Sequence, residues 1–403
     1  MEIVVVTLPH YVENEGLLIV EVLKNGAQRV HIRKPSWCEE QHRELIQSIP
    51  EEYRDRLTLH DFHSLAQEFN IGGIHLNSRN PMPPGGYCGR VSRSCHSISE
   101  LEDGVSYHYQ TLSPIYDSIS KSGYSAAFSY DELREAKQRG AIGSKTYALG
   151  GVTPESIKDL YDLGFGGVMM LGYIWEELSM SEISNRVKRA VKAAKLCDDF
   201  KLQYITHHNA AHDELSGALA ALEGGCRWVQ LRMKGASDEQ FVEVAHKLAK
   251  ACRSYGATFL LNDRAHLVEQ CGADGVHLGR EDVSVVEARA QLGESVIIGG
   301  TANTHDDIKR LVESGVDYIG YGPFRFTTTK ERLSPVLGLE GYQKVSQFKA
   351  ESGYSVPIVA IGGITIDDIR PIMACGVQGV ALSGTIINAQ DPVSTTKEII
   401  EEL

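Results

Sequence analysis

Three polar side chains alternate at one place in the second half of the chain. Gln230, Arg232 and Lys234 follow a short apolar run in the string QLRMK. In an extended segment, alternate side chains lie on the same side. A central parallel strand is covered on both faces, so this pattern favours a ligand site over a solvent-facing edge. We therefore expect the three side chains to face one ligand.

Carboxylates follow the next two apolar runs, with Asp263 in the pair Asn262-Asp263 and Asp282 in the string HLGRED. Two carboxylates from neighbouring strand ends can hold one hard divalent ion that takes its other oxygens from water and a diphosphate, which is the habit of Mg²⁺. Taken alone, an Asn-Asp pair is also typical of a turn or a helix cap. Together, Asp263 and Asp282 indicate a magnesium site.

Two further regions have the composition of phosphate sites. The long segment 322–338 is rich in hydroxyl groups and contains Lys330. This composition is typical of a lid loop that donates hydrogen bonds to a phosphate, although a solvated loop can have the same composition. Gly362-Gly363 and Ser383-Gly384-Thr385 follow the last two apolar runs. At these places TIM barrels bind phosphate through backbone N–H groups, whereas Gly-Gly alone is also compatible with a simple turn.

The elements that must position these residues are short strands that alternate with helices. Apolar runs separated by amphipathic segments of about 10 to 16 residues are typical of βα units around a parallel sheet. Eight such units in about 200 residues predict a small (β/α)8 barrel, whose chemistry lies at the C-terminal strand ends. The predicted strands of the second half are 202–206, 227–232, 258–262, 274–278, 295–299, 316–320, 356–361 and 378–382.

The first half of the chain repeats this plan. RVHIRKP at 29–35 matches WVQLRMK at 228–234, and other strings match in the same order. Such self-similarity indicates a duplication with loop insertions. We therefore predict an α/β protein made of two homologous (β/α)8 TIM barrels in tandem, over 1–195 and 200–403.

Composition excludes several classes of protein. The 403 residues, of which 42% are hydrophobic and 23% charged, are typical of a soluble α/β protein with two domains, and the net charge of −13 argues against a nucleic-acid partner. The eight cysteines form no C-x-x-C pair and no Cys/His cluster at zinc spacing, which indicates reduced thiols and no structural zinc. The sequence has neither a leader-like N-terminus nor a long apolar stretch, so we expect a cytoplasmic protein without a membrane partner.

Taken in order, the motifs of residues 201–403 resemble those of thiamine phosphate synthase. The strings Q-x-R-x-K, N-D, H-L-G-x-x-D, T-x-T-K and I-G-G-I are all present. The resemblance implies that Asp263 and Asp282 bind Mg²⁺ and that Gln230 meets an aminopyrimidine. The residues that it implies for the diphosphate are Arg232, Lys234, Asn262, Thr301 and Lys330. Those that it implies for the thiazole phosphate are Thr327, Thr329, Gly363, Ser383 and Gly384.

The implied reaction joins 4-amino-2-methyl-5-(diphosphomethyl)pyrimidine to 4-methyl-5-(2-phosphoethyl)thiazole, or to its carboxylated tautomer. The products are thiamine phosphate and pyrophosphate, with carbon dioxide in the carboxylated case. Mg²⁺ and the cations would stabilise the leaving pyrophosphate, and the thiazole nitrogen would capture the pyrimidine cation. Catalytic roles fall to Arg232, Lys234, Thr301 and Lys330.

Two positions depart from the family pattern. Thr301, in GGTAN, stands where the family usually has Ser, and it keeps the hydroxyl. The string LSGTI around Ser383 replaces the common V-S-A-I, which leaves the side-chain contacts of the phosphate turn open.

The first half departs further. It has His31 and Pro35 in place of Gln230 and Lys234, and Asn80 in place of the second carboxylate. A metal site reduced to one carboxylate should bind a magnesium diphosphate poorly, so we expect no second synthase there.

Two hypotheses remain for this half. It could be similar to the thiazole tautomerase relatives of the synthase, with His31, His60 or His96 as the base. It could instead be a scaffold or regulatory barrel. We favour the second, because Pro114 lies where the tautomerase family has its catalytic His.

Two other functions compete for the whole chain. A sugar-phosphate epimerase or indole-pathway isomerase shares the terminal phosphate site, but Mg²⁺ dependence would separate it from a synthase. A non-catalytic thiamine-pathway binding protein would not need the charged residues of the second half. We expect small-molecule substrates as partners, and we leave open both a homo-oligomer and packing of the two barrels against each other.

Overall fold

The computed structural model describes residues 1–117, 125–198, 200–326 and 335–403. It divides into two compact units, Met1–Cys197 and Asp198–Leu403. Each unit contains a closed barrel of eight parallel strands, with strand order following the chain. The prediction of two tandem (β/α)8 barrels is therefore confirmed. Within the described residues, we find no helix long and apolar enough to span a bilayer.

Over its described residues, the first unit has eight strands and eight α-helices. Its strands are β1 (Glu2–Val6), β2 (Arg29–Ile32), β3 (Leu57–Leu59), β4 (Gly73–Leu76), β5 (Arg90–Cys95), β6 (Tyr109–Leu112), β7 (Thr146–Leu149) and β8 (Gly167–Met170). Its helices are α1 (Glu15–Lys24), α2 (Glu39–Gln47), α3 (Glu51–Arg54), α4 (Leu65–Glu68), α5 (Ile98–Leu101), α6 (Tyr130–Gln138), α7 (Ile157–Asp162) and α8 (Met180–Asp198).

The second unit follows the same plan. Its strands are β9 (Leu202–Ile205), β10 (Trp228–Leu231), β11 (Thr258–Asn262), β12 (Gly275–Leu278), β13 (Ile297–Ala302), β14 (Tyr318–Tyr321), β15 (Ile358–Ile361) and β16 (Gly379–Leu382). Its helices are α9 (Glu214–Glu223), α10 (Asp238–Tyr255), α11 (Val268–Cys271), α12 (Val285–Leu292), α13 (His305–Glu313), α14 (Gly338–Ser352), α15 (Ile366–Ala374), α16 (Gly384–Ile387) and α17 (Pro392–Glu401).

Local sequence signals explain where the helices begin and end. Helix α10 starts after Ser237, whose side chain accepts a hydrogen bond from the backbone N–H of Gln240. It ends at Gly256, which has a φ of 64°. Glycine adopts this left-handed conformation without the steric cost that a side chain would add. These two signals set the bounds of the helix that follows β10.

The interior of each barrel is a packed core. In the second unit, Phe200 stacks on Trp228 with ring centroids 3.9 Å apart, and Trp228 meets the edge of Tyr318 at 4.8 Å. In the first unit, Tyr109 stacks on Tyr147 at 4.4 Å. Ligands therefore have access only to the loops at a barrel end, which in this fold is the C-terminal end of the strands.

Two features differ from the sequence expectations. Strand β13 runs over Ile297–Ala302 rather than over the predicted 295–299. Gly299 and Gly300 give no side-chain pattern in the sequence, but their backbones pair with β14. In the first unit, residues 77–89, all described, contain no helix, whereas α12 follows β12 in the second. Three prolines and two consecutive glycines in this stretch disfavour a helix.

Candidate active site

A hydrogen-bonded amide pair, Gln230 and Asn262, lies at the C-terminal ends of β10 and β11. Gln230 is 1% exposed, and its Nε2 donates to Oδ1 of Asn262 across 3.0 Å. Its Oε1 is also buried but has no hydrogen-bond partner among the described residues. Buried polar atoms are rarely left unpaired, so this oxygen is available to a donor on a ligand.

Two carboxyl groups meet beside this pair. Asp263 follows β11 with a φ of 68°, and its N–H donates to the carbonyl oxygen of His277 across 3.0 Å. Asp282 accepts a hydrogen bond from the N–H of Gly279 at 2.6 Å. Burial, together with a hydrogen bond and charge repulsion from Asp282, raises the pKa of Asp263 to about 6. A divalent cation would relieve this repulsion.

Two cations act on the same carboxyl group. The charges of Lys234 and Arg232 both oppose the rise in the pKa of Asp263. Strand β10 ends at Leu231, so only Gln230 of the three alternating residues lies within a strand, and the predicted extended run through Lys234 is wrong. The chain turns after the strand, which leaves Lys234 exposed and Arg232 half-buried.

A small pocket opens at this place, with a volume of about 250 Å³. Its wall combines the cationic turn after β10 with the carboxylate after β11, as a site for a metal-bound anion requires. The lining residues are Met233, Lys234, Gly235, Asn262, Asp263 and Arg264.

Thr301 lies at the end of a buried hydrogen-bonded chain. Its Oγ1 is 2.9 Å from Nε2 of His277, and Nδ1 of His277 is 2.9 Å from the hydroxyl of Tyr318. Nε2 of Gln203 donates to that same hydroxyl across 3.1 Å. This series of hydrogen bonds fixes the position of the Thr301 hydroxyl. We assigned no role to His277 from the sequence, although a histidine within an apolar strand was a visible signal.

The two turns predicted to bind a phosphate follow β15 and β16. Gly363 has a φ of 69°, and a Cβ added there would lie 2.8 Å from Cβ of Arg325. Oγ1 of Thr385 donates to the carbonyl oxygen of Ile364 across 2.5 Å, which joins this turn to α16, the helix that begins at Gly384. Oγ of Ser383 is buried and has no hydrogen-bond partner among the described residues.

Arg325 is a further residue that the sequence did not single out. Its guanidinium makes two hydrogen bonds to Asp368, at 2.6 and 2.7 Å, and a third to the carbonyl oxygen of Gly363 at 3.0 Å. These contacts fix the turn that follows β15. Three predicted contacts, Thr327, Thr329 and Lys330, lie outside the described residues.

A family model described as thiamine monophosphate synthase matches residues 3–174 and again residues 202–386. The chain belongs to this family. The thiamine-phosphate synthase of Phocaeicola vulgatus is 54% identical over 200 residues, which are 50% of this chain and 96% of that protein. The thiamine-phosphate synthase of Flavobacterium johnsoniae is 44% identical over 203 residues, 50% of this chain and 96% of that protein.

A solved thiamine phosphate pyrophosphorylase from Bacteroides thetaiotaomicron is 35% identical, covers 49% of this chain and 98% of its own, and has a TM-score of 0.45. The resemblance inferred from the motifs is confirmed by the family match and by the curated relatives. The chain is an enzyme of the thiamine monophosphate synthase family.

Both halves match the family, but the first barrel has a different arrangement at the metal position. Asp61 there corresponds to Asp263, since β3 pairs with β4 in the register that relates β11 to β12. Arg79 makes two hydrogen bonds of 3.1 Å to Asp61, and Nδ2 of Asn80 donates to it at 2.9 Å. The carboxylate is thus neutralised by an arginine rather than paired with a second carboxylate.

The three histidines considered as a base in this half are not equally placed. Nδ1 of His31 and Nε2 of His60 lie 2.9 Å apart, and both rings are buried. His96 is exposed, and its Nδ1 lies 3.2 Å from the carbonyl oxygen of Ser113.

Proposed function

We propose that the second barrel joins 4-amino-2-methyl-5-(diphosphomethyl)pyrimidine to 4-methyl-5-(2-phosphoethyl)thiazole, or to its carboxylated tautomer, with release of pyrophosphate. The product is thiamine phosphate, with carbon dioxide in the carboxylated case. The observation that carries this proposal is the hydrogen-bonded pair Asp263 and Asp282 beside the cationic Arg232 and Lys234. Membership in the thiamine monophosphate synthase family supports it.

The donor set of this pair fits Mg²⁺. Both residues offer hard carboxylate oxygens, and the pocket of about 250 Å³ beside Asp263 leaves room for waters and diphosphate oxygens. The raised pKa of Asp263 indicates two carboxyl groups that are costly to ionise together without a cation. When bound, Mg²⁺ supplies positive charge to the leaving diphosphate. Asp263 and Asp282 would hold it.

The amide pair would recognise the pyrimidine. An amino group on the ring can donate to the unpartnered Oε1 of Gln230, whose orientation is fixed by its hydrogen bond to Asn262. Arg232 and Lys234, with Lys330 and the hydroxyl of Thr301, would hold the diphosphate. One of these groups is held by a neighbour, since Nε2 of His277 lies 2.9 Å from Oγ1 of Thr301. The backbone at Arg232 is also fixed, because its N–H donates to Oγ1 of Thr206 across 2.8 Å.

The thiazole phosphate would bind on the other side of the mouth. Gly363 and Gly384 allow close approach of backbone N–H groups, and the buried hydroxyl of Ser383 is free to donate to a phosphate oxygen. Thr327 and Thr329 belong to the same proposed site. Gly363 follows β15, whereas Arg232 and Lys234 follow β10, so the thiazole phosphate and the diphosphate would be held mainly by loops of different strands.

In the proposed reaction the bond between the pyrimidine methylene carbon and the diphosphate oxygen breaks, and the electron pair leaves with pyrophosphate. The aminopyrimidine stabilises the cation, and the thiazole nitrogen donates its lone pair to form the new C–N bond. Arg232 and Lys234 stabilise the charge that develops on the leaving group. No covalent bond to the protein is needed.

The test is a turnover assay of the full chain with both substrates and Mg²⁺, with thiamine phosphate detected by fluorescence after oxidation. We expect product with the wild type and a fall of at least about 100-fold in kcat for Asp263→Asn, since charge compensation in the transition state is lost. Asp61→Asn, the equivalent change in the first barrel, is the matched control and should leave turnover intact. Absence of product from the wild type would refute the proposal.

For the first barrel we propose a scaffold or regulatory role rather than a second synthase site. The ion pair between Asp61 and Arg79 supports this, because it occupies the oxygen atoms that a magnesium ion would need. The competing tautomerase hypothesis is testable in the full chain. Conversion of the non-aromatic thiazole carboxylate that is lost on His60→Asn, with synthase turnover retained, would overturn the scaffold proposal.

A further inference from the structure

Three buried histidines lie close together at the C-terminal ends of neighbouring strands in the first barrel. His31 lies in β2, His60 directly follows β3, and His75 lies in β4; they are 0%, 6% and 1% exposed. Each offers one ring nitrogen such that the three atoms lie within 4.8 Å of one another. The rings of His60 and His75 stack with centroids 4.3 Å apart, and that of His31 meets both edge-on at 5.1 Å.

The synthase site of the second barrel does not account for this cluster. There the positions of His31 and His60 are taken by Gln230 and Asn262, which form one hydrogen bond of 3.0 Å in place of the 2.9 Å contact between the two imidazoles. The first barrel therefore concentrates three imidazoles where the second has amide groups and one histidine. Burying three imidazoles together requires compensation for their polar nitrogens.

We propose that His31, His60 and His75 form a binding site for a divalent transition-metal ion, with Zn²⁺ as the natural candidate. Three nitrogens bound to one tetrahedral zinc at 2.0–2.1 Å lie about 3.3 Å from each other. Nδ1 of His31 and Nε2 of His60 are already this close. The ring of His75 would need to move by roughly 1.5 Å at most to complete the triad.

Hydrogen-bond partners around the cluster match those of a metal site, in which the second ring nitrogen of each histidine is usually held by another group. Nε2 of His31 lies 2.5 Å from the hydroxyl of Tyr109. The two ring nitrogens of His75 lie 2.8 and 2.9 Å from the hydroxyls of Ser92 and Ser94. Whichever nitrogen of His75 binds the ion, a serine holds the other.

The protonation state also suits a metal. Burial, with a contribution from neighbouring charges, lowers the pKa of His75 to about 3 and holds those of His31 and His60 well below their usual value. Burial thus favours the neutral form of each ring, which is the form that binds a metal ion. Neutral imidazoles favour zinc, copper, nickel and iron, whereas magnesium prefers oxygen ligands.

A pocket lies next to the cluster along the chain, on the side of the loop that follows β3. This pocket of about 420 Å³ is lined by Asp61, Phe62 and His63, which follow His60 directly in the chain. The site is separate in chemistry and position from the carboxylates of the second barrel. Since it ties together the ends of three neighbouring strands, its occupation should stabilise the first barrel by binding only the folded state.

The experiment uses the untagged full chain, stripped of metal with a chelator and then saturated with Mg²⁺ to fill oxygen sites. Zn²⁺ alone is titrated by calorimetry, and Co²⁺ is used as a spectroscopic probe of tetrahedral nitrogen ligation. We expect one tight site per chain. The double variant His31→Gln, His60→Asn should weaken it by at least about 100-fold, since loss of outer partners alone typically costs 10–100-fold.

This variant is designed to fold, because it installs the amide pair that the second barrel already has at the same positions. Circular dichroism and melting in the metal-free state should therefore match the wild type. His96→Ala removes an exposed histidine of the same barrel and should leave zinc affinity unchanged. No tight site in the wild type, or a tight site that survives in the folded double variant, would overturn the proposal.

Discussion

Arg79 and Asp61 are joined by two parallel hydrogen bonds of 3.1 Å, from Nε to Oδ1 and from Nη2 to Oδ2. At the corresponding position of the second barrel, Asp263 shares a hydrogen bond with another carboxyl group, that of Asp282. The same position thus has opposite electrostatic surroundings in the two halves of one chain. Opposite surroundings should give opposite responses to cations.

Replacing the arginine should therefore create a cation site in the first barrel. In an Asp263→Asn background, the changes Arg79→Glu and Asn80→Asp give Asp61 two carboxylate neighbours. The affinity for Mn²⁺, measured by water-proton relaxation, should rise by at least about tenfold. The background variant alone is the control. Equal Mn²⁺ binding by both proteins would show that the ion pair is not what opposes a metal there.

Gln230→Leu should separate the two substrates kinetically. It removes the free acceptor that we assign to the pyrimidine amino group, so the KM for the pyrimidine diphosphate should rise about tenfold, as for loss of one hydrogen bond of about 1.4 kcal/mol. The KM for the thiazole phosphate should stay unchanged. A parallel rise in both constants would instead indicate a general disturbance of the barrel mouth.

Gly363→Ala should lower the free energy of unfolding by more than the backbone conformation alone explains. The φ of 69° disfavours any side chain, and a Cβ would also lie 2.8 Å from Cβ of Arg325. Gly353 has a φ of 68° with open space around it, so Gly353→Ala is a matched control for the backbone term. By chemical denaturation we expect the free energy of unfolding to fall by about 1 kcal/mol for the control Gly353→Ala, and by about 1–3 kcal/mol more for Gly363→Ala.

Equal losses for the two glycine variants would mean that Arg325 moves aside freely. In that case the KM for the thiazole phosphate should also be normal in Gly363→Ala. We expect it to be raised, because Arg325 binds the carbonyl oxygen of Gly363 and fixes the turn.

Asp307 should stabilise the second barrel in a pH-dependent way. Burial acts to raise its pKa, but hydrogen bonds from Arg280, the N–H of Asn303, Thr304 and Arg310 outweigh it and lower the pKa below 3.8. Asp307→Ala should reduce the free energy of unfolding by about 2 kcal/mol at pH 7. The exposed Asp306→Ala should change it by less than about 0.5 kcal/mol.

The pH dependence follows from the direction of that shift. A carboxyl group whose folded pKa is depressed contributes fully above its unfolded value of 3.8, and the contribution is lost as the pH falls through the folded value. The difference between wild type and Asp307→Ala, measured by urea unfolding, should therefore be constant from pH 7 to about 5 and shrink below about 4. A difference that grows on acidification would contradict this assignment.

The strands were largely predictable because each is a short apolar run that helices bury on the outer face. The predicted strand 258–262 coincides with β11, Thr258–Asn262. Strand β13 was misplaced because Gly299 and Gly300 have no side chains to give a pattern, although their backbones pair with β14. Backbone pairing of glycines depends on the neighbouring strand and is invisible in a local window.

Parts of the candidate site were predictable for a different reason. Strand ends meet at one end of a barrel, so residues after consecutive strands can be grouped from the sequence alone. Arg325 was missed because its partner Gly363 is 38 residues away. The grouping of His31, His60 and His75 was not predicted because they lie in or directly after three different strands, so their sequence spacing resembles no zinc motif.

Every strand of each sheet pairs with two neighbours, since β1 pairs with β8 and β9 pairs with β16. Homologous domains in one chain tend to misassemble by exchanging strands, and a sheet that closes on itself offers no free edge for such an exchange. The sequences of the two barrels can therefore diverge from each other, although both barrels are always made in equal amounts. A change that suits one barrel, such as an arginine beside its aspartate, leaves the strand pairing of the other barrel as it is.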